Sequence, residues 1–128
     1  MAVEWLDVRS TNAAPKQDVR VSLSAKGDAI NIAFRRGAWM TKLRRADRLA
    51  IGFESLNGVP TAMYFSISSA GYRMFNSDGN KNPLIRIQCR KIQLAYPRLK
   101  LSELQGDYVL REDKDQNIYY ISLGAKSY

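Results

Sequence analysis

Short runs in which apolar and polar residues alternate, separated by turn-forming residues, constrain this chain more than any other feature. Val19, Val21 and Leu23 fall on one side of a strand, with Arg20, Ser22 and Ser24 on the other, the period of two that marks a half-buried β-strand. Lys26-Gly27-Asp28 then supplies a turn, and Ile30, Ile32 and Phe34 alternate again, so the pair reads as a β-hairpin. Leu49, Ile51 and Phe53 repeat the pattern, Asn57-Gly58 centres a second tight turn, and Met63, Phe65 and Ile67 follow. Ser69-Ala70-Gly71 breaks that strand, and Tyr72 to Phe75 gives another short one. Beyond the loop-like stretch Asn76 to Pro83, Ile85, Ile87 and Cys89 alternate with Arg86, Gln88 and Arg90, predicting one strand with an apolar and a cationic face. Arg86 and Arg90 would then share that polar face about 13 Å apart, at about 3.3 Å per residue.

Helical spacing is confined to two places. Trp39, Leu43 and Ala46, with Met40 beside them, predict a short amphipathic helix near 37–46 that carries Lys42, Arg44 and Arg45 on its other side. Leu99, Leu101 and Leu104 predict a helical turn or an irregular edge after Pro97. The end of the chain reads as a hairpin: Tyr108 and Leu110, an acidic turn at 112–117, then Ile118 to Leu123. The expected class is mainly β, with antiparallel strands and hairpins in a barrel-like arrangement and one or two short helices. Residues 1–17, with Asn12-Ala13-Ala14-Pro15, read as an N-terminal arm or loose segment, and 18–128 as a single β-rich domain. At 128 residues one domain is the natural expectation. Several short strands leave edges to be paired or covered, from which a homodimer is expected.

Composition narrows the chemistry. The chain has no His, which removes the commonest general base and the usual zinc and iron ligand sets. Its one cysteine cannot form an intramolecular disulfide or a CxxC motif. Cys89 falls on the apolar side of its strand and reads as a buried structural thiol, comfortable in a reducing compartment. Neither a signal-peptide pattern nor an apolar run approaching the roughly 18–20 residues that cross a bilayer is present, so the expected location is cytoplasmic, away from membranes.

Other constellations are weak. Glu112-Asp113-Lys114-Asp115 lacks the oxygen-ligand spacing and glycine of a calcium loop and reads as a hydrophilic hairpin turn. Ser22, Ser24 and Lys26 would need a desolvated lysine to act as a Ser-Lys nucleophile pair, whereas a turn lysine is solvated. The glycines form neither a GxGxxG nor a P-loop pattern. No catalytic residue, cofactor or metal site is therefore expected. Tyr64 and Tyr119 are placed on strand faces opposite the main apolar sets, where aromatic rings either cover the sheet or stack unpaired bases.

Charge is the informative quantity. The formal net charge is +8, and it is concentrated. Residues 35–48 hold Arg35, Arg36, Lys42, Arg44, Arg45 and Arg48 against Asp47 alone, a net of +5. Residues 81–100 hold Lys81, Arg86, Arg90, Lys91, Arg98 and Lys100 with no acid, a net of +6. The remainder sums to −3, so two basic segments stand on a slightly acidic chain. If the fold brings them together they form a local positive surface.

With the hairpin, basic helix and following strand in place, residues 19–54 resemble the AbrB/SpoVT (MazE-type) swapped-hairpin DNA-binding domains. The matching text runs from Val19 through Lys26-Gly27-Asp28 to Ile32, then a basic helix, then Ala46-Asp47-Arg48-Leu49-Ala50-Ile51. The chain departs from that pattern at Ala33-Phe34, where the family usually has a proline, and at Ala46, which replaces a glycine. The resemblance implies an interleaved dimer that presents Lys26, Arg35, Arg36, Arg44 and Arg45 to DNA. The functional expectation is a non-catalytic nucleic-acid-binding protein, with DNA favoured over RNA. It would bind through Lys26, Arg35, Arg36, Lys42, Arg44, Arg45, Arg86 and Arg90. The alternative is a small viral or mobile-element accessory protein docking on an acidic protein surface, which would use the same charges.

Overall fold

The computed structural model describes residues 18–35, 43, 46–75, 83–113 and 118–124. Within them the alternating segments form β1 (Val19–Leu23), β2 (Ala29–Phe34), β3 (Arg48–Leu56), β4 (Val59–Ile67), β5 (Tyr72–Arg73) and β6 (Leu84–Gln88). There follow a helix α1 (Cys89–Ala95), a 3₁₀ turn (Leu101–Leu104), and β7 (Gly106–Tyr108), β8 (Arg111–Asp113) and β9 (Ile118–Ser122). The expected arm at 1–17 and all of the predicted basic helix except Leu43 and Ala46 lie outside the described residues. Leu43 is helical, and both it and Ala46 are buried.

The strands form two antiparallel sheets, ordered β6-β2-β1-β7 and β5-β3-β4-β9-β8. The first hairpin closes around Gly27, which adopts a positive φ, and Ser24 braces it: its hydroxyl donates to Asp28 at 2.9 Å and accepts from the Ala29 amide at 3.2 Å. The second hairpin pairs Leu56 with Val59 across Asn57 and Gly58, whose φ values of 54° and 78° are those of a type I′ turn. Asn tolerates this left-handed region and Gly adopts it freely, so the dipeptide fixes the pairs next to the turn, and a bulge between Glu54 and Ser55 shifts the rest of the ladder by one residue. Both edges of the β1–β2 hairpin are occupied by β6 and β7 of the same chain.

The inner faces of the two sheets meet in one core. Val19, Val21, Ile30, Ile32, Phe34, Ile85 and Tyr108 come from the first sheet, and Leu49, Met63, Phe65, Tyr119 and Ile121 from the second. Phe34 meets Phe65 edge to face with ring centroids 5.2 Å apart, the orientation that aromatic quadrupoles favour. Among the described residues no charged or polar side chain is buried. No helix there is long and apolar enough to cross a membrane.

The expected antiparallel β class is the observed one, but the barrel-like closure is not. A barrel needs a continuous ladder. Between β5 and β6 there is only the isolated bridge Phe75–Leu84, and between β7 and β8 the chain simply crosses through Val109 and Leu110. The Leu110 amide donates to Asp18 Oδ2 at 3.0 Å and the Arg35 amide to the Asp18 carbonyl at 2.8 Å, so Asp18 pins that crossing to the first sheet.

A second correction concerns β6. The strand ends at Gln88, and Cys89 begins α1, because Gln88 pairs with Ala29 at the very start of β2 and a longer strand would have no partner. The Cys89 amide instead donates to the Asp28 carbonyl at 2.9 Å, satisfying one of the donors a helix start leaves open. Cys89 and Ile92 turn inward, and Tyr96 meets Phe53 at 5.5 Å.

Gly71 lies where β5 joins β3. A Cβ there would overlap the Leu49 carbonyl and the Ala50 amide, backbone atoms held by the β3 ladder. Gly71→Ala should lower stability by about 1–3 kcal/mol, read as a drop in the urea midpoint. An unchanged midpoint would mean that β5 can move off β3 at no cost.

Candidate nucleic-acid interface

Alternation on the four-stranded sheet sends every second residue outward. Adjacent rows of that outer face are Arg86–Asn31–Ser22 and Leu84–Ala33–Arg20–Asp107, read from the strand register. Arg20 and Arg86 are exposed, and among the described residues neither joins an ion pair. Arg86 Nε donates to Asn31 Oδ1 at 3.0 Å, which orients the guanidinium and uses one of its five donors. Two strand spacings of about 4.8 Å and two residues of about 3.3 Å put the Arg20 and Arg86 backbones about 12 Å apart. That is far enough to meet different phosphates.

Arg35 follows β2 and stretches to Asp107 on β7, with Nη2 3.4 Å from Oδ1. The two side chains are 18% and 29% exposed, and Asp107 Oδ1 has no hydrogen-bond partner, so the Arg35 charge is what balances it. This arginine serves the fold first. Among the described residues the face keeps a small positive excess, since Arg20, Arg35 and Arg86 stand against Asp107 and Asp18, whose carboxylate is held by the Leu110 amide.

Of the other expected residues, Lys26 is exposed at the tip of the β1–β2 hairpin. Arg90 is exposed but sits on α1, so the expectation that it shares a strand face with Arg86 is overturned by the strand ending at Gln88. The Asp28–Cys89 backbone bond brings the α1 start beside the hairpin turn that carries Lys26, so both residues border the same end of the sheet. Arg36, Lys42, Arg44 and Arg45 lie outside the described residues. Arg20 stands alone in sequence; alternation beside Ser22 puts it on a polar face, and only the strand register brings it next to Ala33 and Asp107.

The five-stranded sheet corrects the tyrosine assignment. Tyr119 is 4% exposed and joins Ile121 and Leu123 in the core, and burial pushes its hydroxyl above the ordinary phenol value, with Glu112 adding to the rise. Tyr120 is the residue that turns outward beside Tyr64, ring centroids 5.5 Å apart and planes inclined by 32°. The Tyr64 hydroxyl donates to Glu54 Oε2 at 2.5 Å, and this bond pushes Tyr64 above the usual phenol range. Alternation in β9 has apolar or aromatic residues on both faces, so it did not reveal which tyrosine turns inward.

Cys89 is buried, and burial, followed by the nearby Asp28 charge, pushes its thiol up. It is a packed neutral thiol, with the Sγ 3.7 Å from the Gly27 carbonyl. Among the described residues no three His, Cys, Asp or Glu side chains converge as a metal site would require. An open cleft of about 400 Å³ lies between β3, β5 and α1, lined by Ala50, Ile51, Ala70, Gly71, Tyr72 and Lys91. Lys91 is drawn over the Tyr72 ring at 5.5 Å, a cation–π contact. Its described lining holds no paired acid and base. Comparison of the chain with protein-family models, curated proteins and solved structures found no match, so a functional reading rests on the residues themselves.

The Arg35–Asp107 pair can be weighed directly. A double-mutant cycle with Arg35→Ala and Asp107→Ala should give a coupling of about 0.5–1 kcal/mol in urea unfolding, the modest size set by partial exposure. Zero coupling would show that Arg35 is free for a ligand.

Proposed function

We propose that this chain is a non-catalytic nucleic-acid-binding protein, DNA being its favoured ligand, that docks through the outer face of the four-stranded sheet. The observation that carries the reading is the placement of Arg20 and Arg86, two exposed cations on neighbouring rows of one face. Arg35 neutralises the acid beside them. Lys26 and Arg90 at one end extend the positive surface. The basic segment at 35–48, resembling the AbrB/SpoVT helix region, adds Arg36, Lys42, Arg44 and Arg45. Phosphate neutralisation with counterion release supplies most of the affinity, with weak sequence preference. A homodimer and a cytoplasmic location belong to the same proposal, and light scattering reads the first as twice the chain mass.

With about four to six phosphate contacts, log affinity for a random duplex should fall against log salt with a slope of about −4 to −5. Arg20→Ala/Arg86→Ala should weaken binding and make the slope shallower by about 2. Stability should change by less than about 0.5 kcal/mol, because both side chains are exposed. A flat salt dependence, or no binding at low salt, overturns the reading and turns attention to an acidic protein partner. Full affinity in the double variant would move the interface away from this sheet.

A further inference from the structure

The outer face of the five-stranded sheet differs from that of the first, and its chemistry is aromatic. In register across four strands lie Gly52, Tyr64, Tyr120 and Arg111. Beside this row, Glu54, Ala62 and Ser122 lie in register on one side; on the other lie Ala50 and Ser66, with Ile118 of β9 next to Asp113. Tyr64 is therefore flanked along β4 by the small Ala62 and Ser66, and Tyr120 along β9 by Ser122 and Ile118. The Gly52 flank of Tyr64 is bare, for a Cβ built on Gly52 meets nothing within 4 Å.

We infer that this row stacks an unpaired base of a single nucleic-acid strand on Tyr64 and Tyr120, with Arg111 reaching the adjoining phosphate; the inference rests on the nucleic-acid reading above. Three observations select this occupant. The rings are half exposed and inclined by only 32°, so together they offer a broad π-surface. Glu54 accepts the Tyr64 hydroxyl and fixes that ring in place before any ligand arrives, which reduces the ordering cost of stacking. Arg111 is exposed beside Tyr120 on an edge strand, and a chain of net charge +8 favours a polyanion over a neutral planar ligand. Among the described residues Glu54 and Asp113 offset two of the three arginines on this face, Arg48, Arg73 and Arg111, so the row contributes mainly by stacking. Every base has a π-face, so the site is tolerant of sequence. It lies on a different sheet from Arg20 and Arg86, and the two surfaces are separable by mutation.

The test compares the full chain with variants, using labelled oligo-dT, labelled oligo-U and a labelled random duplex. Single strands of about 12 nucleotides fit one binding site. Tyr64→Leu/Tyr120→Leu should lose single-strand affinity by about tenfold or more while duplex affinity and the single-strand salt slope stay unchanged. Tyr64→Phe/Tyr120→Phe, which keeps the rings and gives up the Glu54 bond, should retain most of the affinity. Gly52→Val, which touches neither ring and has room, should crowd the bare flank and lose single-strand affinity with the fold intact. A loss in either the oligo-dT or the oligo-U arm supports the site and tells which sugar it takes. Wild-type single-strand affinity in the leucine and valine variants, with duplex binding preserved, overturns the stacking site alone. A wild-type chain that binds none of the three probes overturns the nucleic-acid reading itself.

Discussion

The edge-to-face contact of Phe34 with Phe65 marks the seam on which the molecule depends. It is where β2 of one sheet meets β4 of the other, and the fully buried Ile30, Ile32, Ile85, Leu49, Met63 and Ile121 belong to the same core. Among the described residues the strand bridge between the sheets is Phe75–Leu84, and the chain crosses from one to the other through Val109 and Leu110. Apolar burial between the sheets, at about 25 cal/mol per Å², therefore does what a continuous ladder does in a barrel. It also dictates where function can lie. Both inner faces are used up in the core, so a ligand must meet an outer face, a loop or an edge. The terminal strands are short, with two residues in β5, three each in β7 and β8, and five in β6, and β5 pairs only with Arg48 and Leu49, so the rest of the nine-residue β3 has no described strand on that side.

The two outer faces have diverged. The first carries Arg86, oriented by Asn31, and the exposed Arg20, with Asp107 paired to Arg35 and Asp18 held by the Leu110 amide. The second carries a tyrosine pair flanked by Ala62, Ser66, Ser122 and Ile118, with acids and arginines at its margins. Phosphate recognition needs dispersed cations that different backbone charges can reach, whereas base recognition needs flat, fixed, uncrowded rings. In the proposed reading the first demand falls chiefly to the four-stranded sheet and the second to the five-stranded one.

The hairpins were legible in the sequence because period-two alternation and a turn dipeptide coincide in each: Val19 to Phe34 around Gly27, and Leu49 to Ile67 around Asn57-Gly58. The end of β6 was not legible. Cys89 continues the strand alternation and equally starts a helical i, i+3 pair with Ile92, and the deciding fact is the position of Ala29, far away in sequence. The error placed Arg90 on the wrong element. The Arg35–Asp107 pair was invisible for the same reason, since tertiary register alone brings its halves together. Charge runs drew the reading toward clustered arginines and past Arg20, a lone cation whose importance comes from its strand neighbours. Part of the basic segment at 35–48, including Arg36, Lys42, Arg44 and Arg45, lies outside the described residues.

Backbone amide chemical shifts followed during titration with a short random DNA duplex would locate the proposed contact of nucleic acid with the outer face of the four-stranded sheet. The largest shifts should cluster at Arg20, Ser22, Asn31, Ala33 and Arg86, on three neighbouring strands, and fade as salt is raised. Shifts confined to residues of β3, β4 and β9, or no shifts at low salt, would contradict it.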